Sequence, residues 1–283
     1  MQSSIEIGSC RLTLVRAGVY HWDGGALFGV VPKTLWHRHL PADELNRVPM
    51  AFNCYVVETG EHTVLIETGG GDKMDDRARE RMLLPDPFPL PEILAGAGFD
   101  PERIDTVLNS HLHWDHCGWN TVRRNGAWEA AFPNAVYYAP AGEYEQAKRR
   151  HPRDSVSYLD ANYVPLLESG RMHLLGGAVA EVLPGIGMHR APGHTRDMRV
   201  VLASSGGRTF CFFADLVPTA AHVKPTWVTG FDLFPLETID TKLDWLDRAA
   251  SGGWICAFAH DTGPAFYTIE NRGGNYVASP LGE

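Results

Sequence analysis

HLHWDH, residues 111–116, stands directly behind the apolar run DTVLN (105–109) and Ser110. Four side chains able to bind a metal fall within six residues: His111, His113, Asp115 and His116. DTVLN reads as a buried strand, so the motif occupies the turn at its end. In extended or irregular backbone, alternate side chains leave on the same side, and His111 and His113 can converge on one ion. Asp115 and His116 follow as the chain turns and can converge on a second. Imidazole and carboxylate are suitable zinc ligands, and such a cluster in one turn has little purely structural use.

Three remote positions join it. His194 lies in APGHT, Asp215 closes TFCFFAD, and His260 closes WICAFAH. A single histidine at a strand end is ordinarily a hydrogen-bonding or surface group. With HLHWDH in place the three are needed, because a site of four residues would be under-ligated. Polar residues that end apolar strands are what a site on the rim of packed sheets requires.

Around these positions, strand-like runs dominate both halves. RLTLV (11–15) is a short candidate. FNCYVVE (52–58) and HTVLIE (62–67), separated by Thr-Gly-Glu, carry a hairpin pattern. AVYYA (135–139), AEVL (180–183), GMHRA (187–191), MRVVLA (198–203), TFCFFA (209–214), WICAFA (254–259) and AFYTIE (265–270) follow. Helices are expected around 72–82, at 91–97 with Gly98 at the end, at 142–150 and at 238–251. DGGALFGVVPK (23–33) reads as a loop, and KRRHPR (148–153) as a solvated helix end. The pattern implies an α/β chain, with two sheets packed together and helices outside. No linker divides it, so one domain over 1–283 is expected, with residues 1–50 as an N-terminal extension or loop near the site.

Composition narrows the partners. The formal net charge is −9, from 34 acidic and 25 basic residues. Phosphate contacts need a basic face, so nucleic acid is an unsuitable partner. No apolar stretch approaches the ~18 residues of a membrane span. Five widely spaced cysteines without a CxxC pair fit a reducing compartment better than a disulfide framework. The N-terminus has no signal-peptide pattern, and a cytoplasmic location is expected. A homodimer remains open.

HLHWDH followed by APGHT, FFAD and FAH, in this order and at these separations, resembles the metallo-β-lactamase superfamily from about Asn53 to His260. The resemblance implies a four-layer αββα sandwich and a binuclear centre. It gives His111, His113 and His194 to one zinc and Asp115, His116 and His260 to the other, with Asp215 bridging. Two Zn2+ per chain are implied, with iron, manganese or cobalt as other occupants. The implied reaction is hydrolysis by a hydroxide shared between the metals, with Asp115 moving the proton to the leaving group. VLIETGG (64–70) resembles the family's early strand and turn, where Asp is usual at the position of Glu67. Glu67 is expected to support a ligand histidine, not to bind metal.

The substrate follows from two further stretches. DGGALFGVVPKTLW (23–36) with LPADELNRVPM (40–50), and DLVPTAAHVKPTWVTGFDLFP (215–235), resemble quorum-quenching lactonases of the YtnP type. They imply an N-acyl-homoserine lactone substrate. Related lactonases often carry a Tyr three residues after the bridging Asp, where this chain has Pro218; His222 is the candidate replacement donor. Phe28, Trp36, Trp114, Trp119 and Trp227 are candidates for an acyl pocket, although aromatics are more often core. Cys117 is not expected to add a ligand. A broad esterase, phosphotriesterase or β-lactamase stays open, as does, from another class, a mononuclear iron persulfide dioxygenase.

Overall fold

The computed structural model describes residues 3–84 and 89–282. Among them, two seven-stranded sheets carry the chain. The first runs β1 (Ser4–Ile7), β2 (Cys10–Asp23), β3 (Arg47–Glu58), β4 (Thr63–Ile66), β5 (Thr106–Leu108), β8 (Val136–Pro140) and β9 (Met172–Leu175). A separate ribbon joins β6 (Thr121–Arg124) to β7 (Ala127–Ala130). The second sheet runs β10 (Val179–Leu183), β11 (Ile186–Arg190), β12 (Arg199–Ser205), β13 (Arg208–Phe212), β14 (Ile255–Ala257), β15 (Tyr267–Arg272) and β16 (Asn275–Pro280).

The layering follows from β3. Successive residues on a strand face opposite ways, yet those from Met50 to Val57 are all buried. Tyr55 and Val57 pack with Val200, Phe210 and Phe212 of the second sheet. Cys54 and Val56 pack instead with Leu94 and Ala147. These lie on α4 (Leu90–Gly96) and α6 (Ala141–Arg149), which cover the outer face with α7 (Val164–Glu168). β4 repeats the division: Val64 and Ile66 turn to the other sheet and Leu65 to the helices. On the far side, α8 (Pro235–Gly252) buries Trp245, Leu246 and Ala249 against the second sheet. Pro235 opens this helix and Gly253, at φ 59°, closes it. Helix, sheet, sheet and helix form an αββα sandwich.

Strand direction places the site. β4, β5, β8 and β9 are parallel neighbours, and so are β13 and β14. Parallel strands bring their carboxyl ends to one rim, where sites of such sheets gather. Glu67 follows β4, His111 follows β5, Asp215 follows β13 and His260 follows β14. The sheets are joined there by backbone, because Ala51 and Asn53 donate to the carbonyls of His260 and Ala259, each at 3.0 Å.

The N-terminal segment differs from an extension or loop. Residues 4–7 and 10–23 are the first two strands of a sheet, and β2 runs well beyond 11–15. Leu12 and Val15 lie buried on either side of it, which ties it to both layers. Arg16 pairs with Asn53 and Val19 with Ala51, so Ala17 and Gly18 bulge opposite Phe52. A bulge re-aims the residues beyond it, and Tyr20 there reaches the site. The expected loop at 23–33 contains α1 (Gly24–Phe28) and the start of α2 (Lys33–Trp36). Asp23 caps α1 by accepting from Ala26 N at 2.7 Å.

Candidate metal centre

β5 is followed by backbone that bends at Ser110 and His111 and ends in α5 (Trp114–Cys117), with His113 as its N-cap residue. His111 and His113 precede the helix, while Asp115 and His116 lie in it. The turn after β4 grips this helix from below. Thr68 N donates to His116 O at 2.8 Å and Gly118 N to Gly69 O at 2.7 Å. The two backbones touch, and a Cβ on Gly118 would collide with Gly70 and Gly71. On the other side, α3 (Asp76–Met82) follows the turn and presents Met82 to the cavity described below.

The seven residues singled out in the sequence come together in three overlapping groups. These are His111, His113 and His194; Asp115, His116 and His260; and His111, His116 and Asp215. Ligand atoms within each group lie within 4.8 Å of one another. Asp215 is central. Its Oδ1 stands 3.2 Å from His116 Nε2 and 3.1 Å from His260 Nε2, and its Oδ2 stands 3.4 Å from His194 Nε2. The preceding Ala214 has φ 47°, a strained backbone state of the kind found at functional sites.

The outer ring nitrogens are held by acceptors. His260 Nδ1 donates to Ala51 O at 2.9 Å, and His194 Nδ1 to Asp232 Oδ1 at 2.9 Å. His116 Nδ1 faces Glu67 Oε1 at 3.5 Å. Such partners fix the tautomer and leave the opposite nitrogen as a bare donor atom. His116 Nε2 and His260 Nε2 therefore face each other at 3.2 Å. His111 Nε2, His113 Nε2 and Asp215 Oδ1 are buried without a hydrogen bond. Buried polar atoms are rarely left so. Converging imidazoles around a carboxylate are the donor set of divalent transition-metal ions, so the residues fit such a group.

Electrostatics favour a neutral His111 and a charged Asp215. Burial, then His116 and His113, push the His111 imidazole far below its usual range. At Asp215 burial works against the charge, but His116, His260 and His194 outweigh it and hold the carboxyl far down. At His116 burial is likewise outweighed, by Asp215 and Asp115, and the imidazole is pushed up.

A cavity of about 250 Å3 opens over the centre. His113, Asp115, Asp215 and His260 form its floor; Trp22, Met50, Met74, Met82, Trp114 and Phe231 supply apolar walls. A second cavity, about 440 Å3, shares Trp22, Arg81 and Met82 with the first and reaches Ala26 and Leu45.

Glu67 stands beside the ligands as a support. Its Oε1 accepts from Ser110 N at 3.0 Å, and its own φ is 62°. His222 does not reach the cavity. It is fully buried, with Nδ1 2.8 Å from Thr219 Oγ1 and Nε2 3.2 Å from Leu27 O. Phe28 stacks on it at 4.6 Å, and burial, then Lys242, push it down to about 3. With both nitrogens engaged it has nothing to offer a substrate, which corrects the donor assignment. Of the five candidate aromatics only Trp114 lines the cavity. Phe28, Trp36 and Trp227 pack together in a core, and Trp119 packs in another. Cys117 donates to the carbonyls of Leu112 and His113 and adds no ligand.

Several residues at the site were not singled out in the sequence. Tyr20 donates to Asp115 Oδ2 at 3.4 Å. Asp232 holds His194. Buried Glu143 accepts from Thr195 Oγ1 at 2.5 Å and from Leu112 N at 3.4 Å, and so links the His194 loop to the 111–116 turn. Arg153, read as part of a solvated helix end, lines the cavity and donates to Gly230 O. No short motif surrounds any of them, and only the tertiary fold brings them in.

A family model described as the metallo-beta-lactamase superfamily matches residues 48–260. An N-acyl homoserine lactonase from Bacillus sp. is 29% identical over 154 residues, covering 50% of this chain and 54% of that protein. One from Bacillus cereus is 29% identical over 152 residues, with the same coverage. The chain thus spans about half the length of the curated relatives it matches. A solved structure described as a probable metal-dependent hydrolase from Staphylococcus aureus superposes with a TM-score of 0.87 at 26% identity, over 97% of this chain and 99% of that one. AidC, described as a dizinc quorum-quenching lactonase in complex with a product, superposes with a TM-score of 0.81 at 20% identity, over 99% and 97%. Among the described residues, no helix is long and apolar enough to cross a membrane.

Proposed function

The chain belongs to the metallo-β-lactamase superfamily, and from that premise we propose that it is a binuclear metal-dependent hydrolase that opens N-acyl-homoserine lactones or related lactones. One observation carries the reading: two histidine groups meet at the single carboxylate of Asp215, beneath a cavity walled by methionine and aromatic side chains. His111, His113 and His194 would hold one ion, Asp115, His116 and His260 a second, and Asp215 both. Zinc is the occupant this donor set suits well. Bound there, divalent cations supply Lewis acidity and bring the pKa of a water near neutrality.

The chain's own residues do the rest. Asp115, with 15% of its side chain exposed, is the carboxylate on the cavity floor with freedom to exchange protons. It accepts a proton from the attacking water and returns it to the ring oxygen as the acyl C–O bond breaks. Water and lactone leave as one hydroxy acid. Glu67, Asp232 and the carbonyl of Ala51 keep the imidazoles oriented throughout. The apolar walls take an acyl chain and exclude bulk water. The names of the Bacillus relatives and of AidC support the lactone over other carbonyl substrates. Five cysteines, all free, fit a cytoplasmic setting.

The test joins metal analysis to pH-stat assays on acyl-homoserine lactones, paraoxon and nitrocefin. Two zinc-like ions per chain and preferential lactone opening are expected. A single iron would sink the hydrolase reading. Two metals with turnover of paraoxon or nitrocefin alone would sink the lactonase.

A further inference from the structure

Tyr20 is held more firmly than its distance from Asp115 requires. Its ring stacks on Phe52 at 4.4 Å with 9° between planes. Trp114 meets it edge-on at 5.9 Å and His260 at 6.0 Å. Only 2% of the residue is exposed, and it lines the cavity over the centre. Three rings therefore fix the phenol oxygen, and only the O–H torsion stays free.

The hydrogen bond it makes is a poor one. Tyr20 donates to Asp115 Oδ2 at 3.4 Å, whereas O–H···O bonds lie at about 2.5–3.0 Å. A locked donor with a weak partner can be redirected at little cost. Donors at catalytic sites are often long in the free enzyme and tighten when the reacting atoms arrive. The neighbouring alternatives are committed elsewhere. His222 is sealed in the core, and Pro218 has no N–H and gives its carbonyl to His260 N at 2.9 Å.

We propose that Tyr20 is a catalytic residue that donates a hydrogen bond to the oxygen leaving the substrate. The inference rests on the hydrolase reading above, in which Asp115 delivers a proton to that oxygen. An oxygen within reach of Asp115 Oδ2 also lies beside the Tyr20 hydroxyl. As the acyl C–O bond breaks, its electron pair moves to the leaving oxygen. Tyr20 stabilises the growing charge and keeps its own proton. The proton that ends on the alcohol comes from the attacking water through Asp115, so a lactone gives one hydroxy acid and an open-chain ester gives one acid and one alcohol.

A charge that grows on the leaving oxygen makes the effect depend on that oxygen. The test is Tyr20→Phe in the metal-loaded full chain, with kcat and KM measured on a lactone and on ethyl, phenyl and p-nitrophenyl esters of one acid. Phenylalanine keeps all three ring contacts. Expected is a kcat loss of about 100-fold on the lactone and ethyl ester, the scale of removing one preorganised donor. The loss shrinks to about threefold on the p-nitrophenyl ester, whose leaving oxygen needs little help. KM, metal content and melting temperature stay near wild type. Equal losses across the series would assign Tyr20 to positioning Asp115 and overturn the proposal, as would no loss at all. If wild type cleaves the esters but not the lactone, the lactonase reading falls and Tyr20 is judged on the esters. A wild type inert on the whole series overturns both.

Discussion

Asp232 ties one group of the centre to the loop before α8. Its Oδ1 accepts from His194 Nδ1 at 2.9 Å and from Thr229 Oγ1 at 2.6 Å, and only 1% of its side chain is exposed. The two loops are also stitched by backbone, with Leu233 N on His194 O at 3.0 Å and Phe234 N on Gly193 O at 2.9 Å. Asp232→Ala therefore leaves the backbone stitching in place and removes the acceptor that fixes the His194 tautomer, together with the partner of Thr229 Oγ1. Losing such a partner typically weakens metal binding 10–100-fold, or about 1.4–2.7 kcal/mol. Asp232→Asn keeps an acceptor oxygen and loses only the charge, so its loss falls near the lower figure and that of alanine near the upper. The effect belongs to the ion held by His111, His113 and His194. His116 and His260 have their own supports in Glu67 and Ala51, and the second ion is expected to stay within about threefold. Competition against a chromophoric chelator resolves two binding steps, and elemental analysis counts the ions. Wild-type affinity at both steps in Asp232→Ala would refute the reasoning, as would equal losses at both.

Asp215→Ala removes the carboxylate that three histidines share, and is expected to retain fewer metal ions per chain and almost no activity; full activity would count against a bridging role. His222 is neutral in the fold down to about 3, whereas in the unfolded chain it titrates near 6.5. Unfolding therefore takes up a proton below ~6.5, and stability falls with pH from there towards 3, by about 2 kcal/mol between pH 7 and 5. In His222→Gln the urea-unfolding free energies at those two pH values should lie closer together by that amount, and an unchanged difference would show that His222 does not carry this dependence. Ala26→Trp fills the second cavity, so lactones with short acyl chains should be opened as before. Long chains should lose more than about tenfold in kcat/KM, since each methylene kept out of the cavity forfeits about 0.8 kcal/mol. Equal effects on all chain lengths would detach that cavity from substrate binding.

The ligands were legible because they follow apolar runs. HLHWDH stands after β5, Asp215 after β13 and His260 after β14, and each strand announces itself by composition. The hairpin of β3 and β4 and the long α8 were equally plain. Strands with polar or short cores were not. β6 and β7 are the exposed ribbon TVRR and AWEA, and β16 is NYVASP; none carries a clear alternation. β2 was seen only at its start, because its bulge interrupts the period of two. The residues that support the ligands were invisible for a different reason. Asp232 and Glu143 act across sequence separations of 38 and 52 residues, and Tyr20 across 95. His222 misled because a histidine near a bridging aspartate looks available, whereas Phe28 and the Leu27 carbonyl, which close over it, come from the other end of the chain.

The division of the ligands between the sheets bears on how the molecule comes apart. His111, His113, Asp115 and His116 hang from the first sheet; His194, Asp215 and His260 hang from the second. Each of the three groups draws on both sheets, so none is complete before the sheets dock, and bound ions stabilise the contact between them. Interactions absent from the transition state slow unfolding and leave the folding rate alone. Metal should therefore act as a rivet between the two sheets, and where docking follows the transition state it lengthens the lifetime of the native chain with little change in the speed at which it is reached.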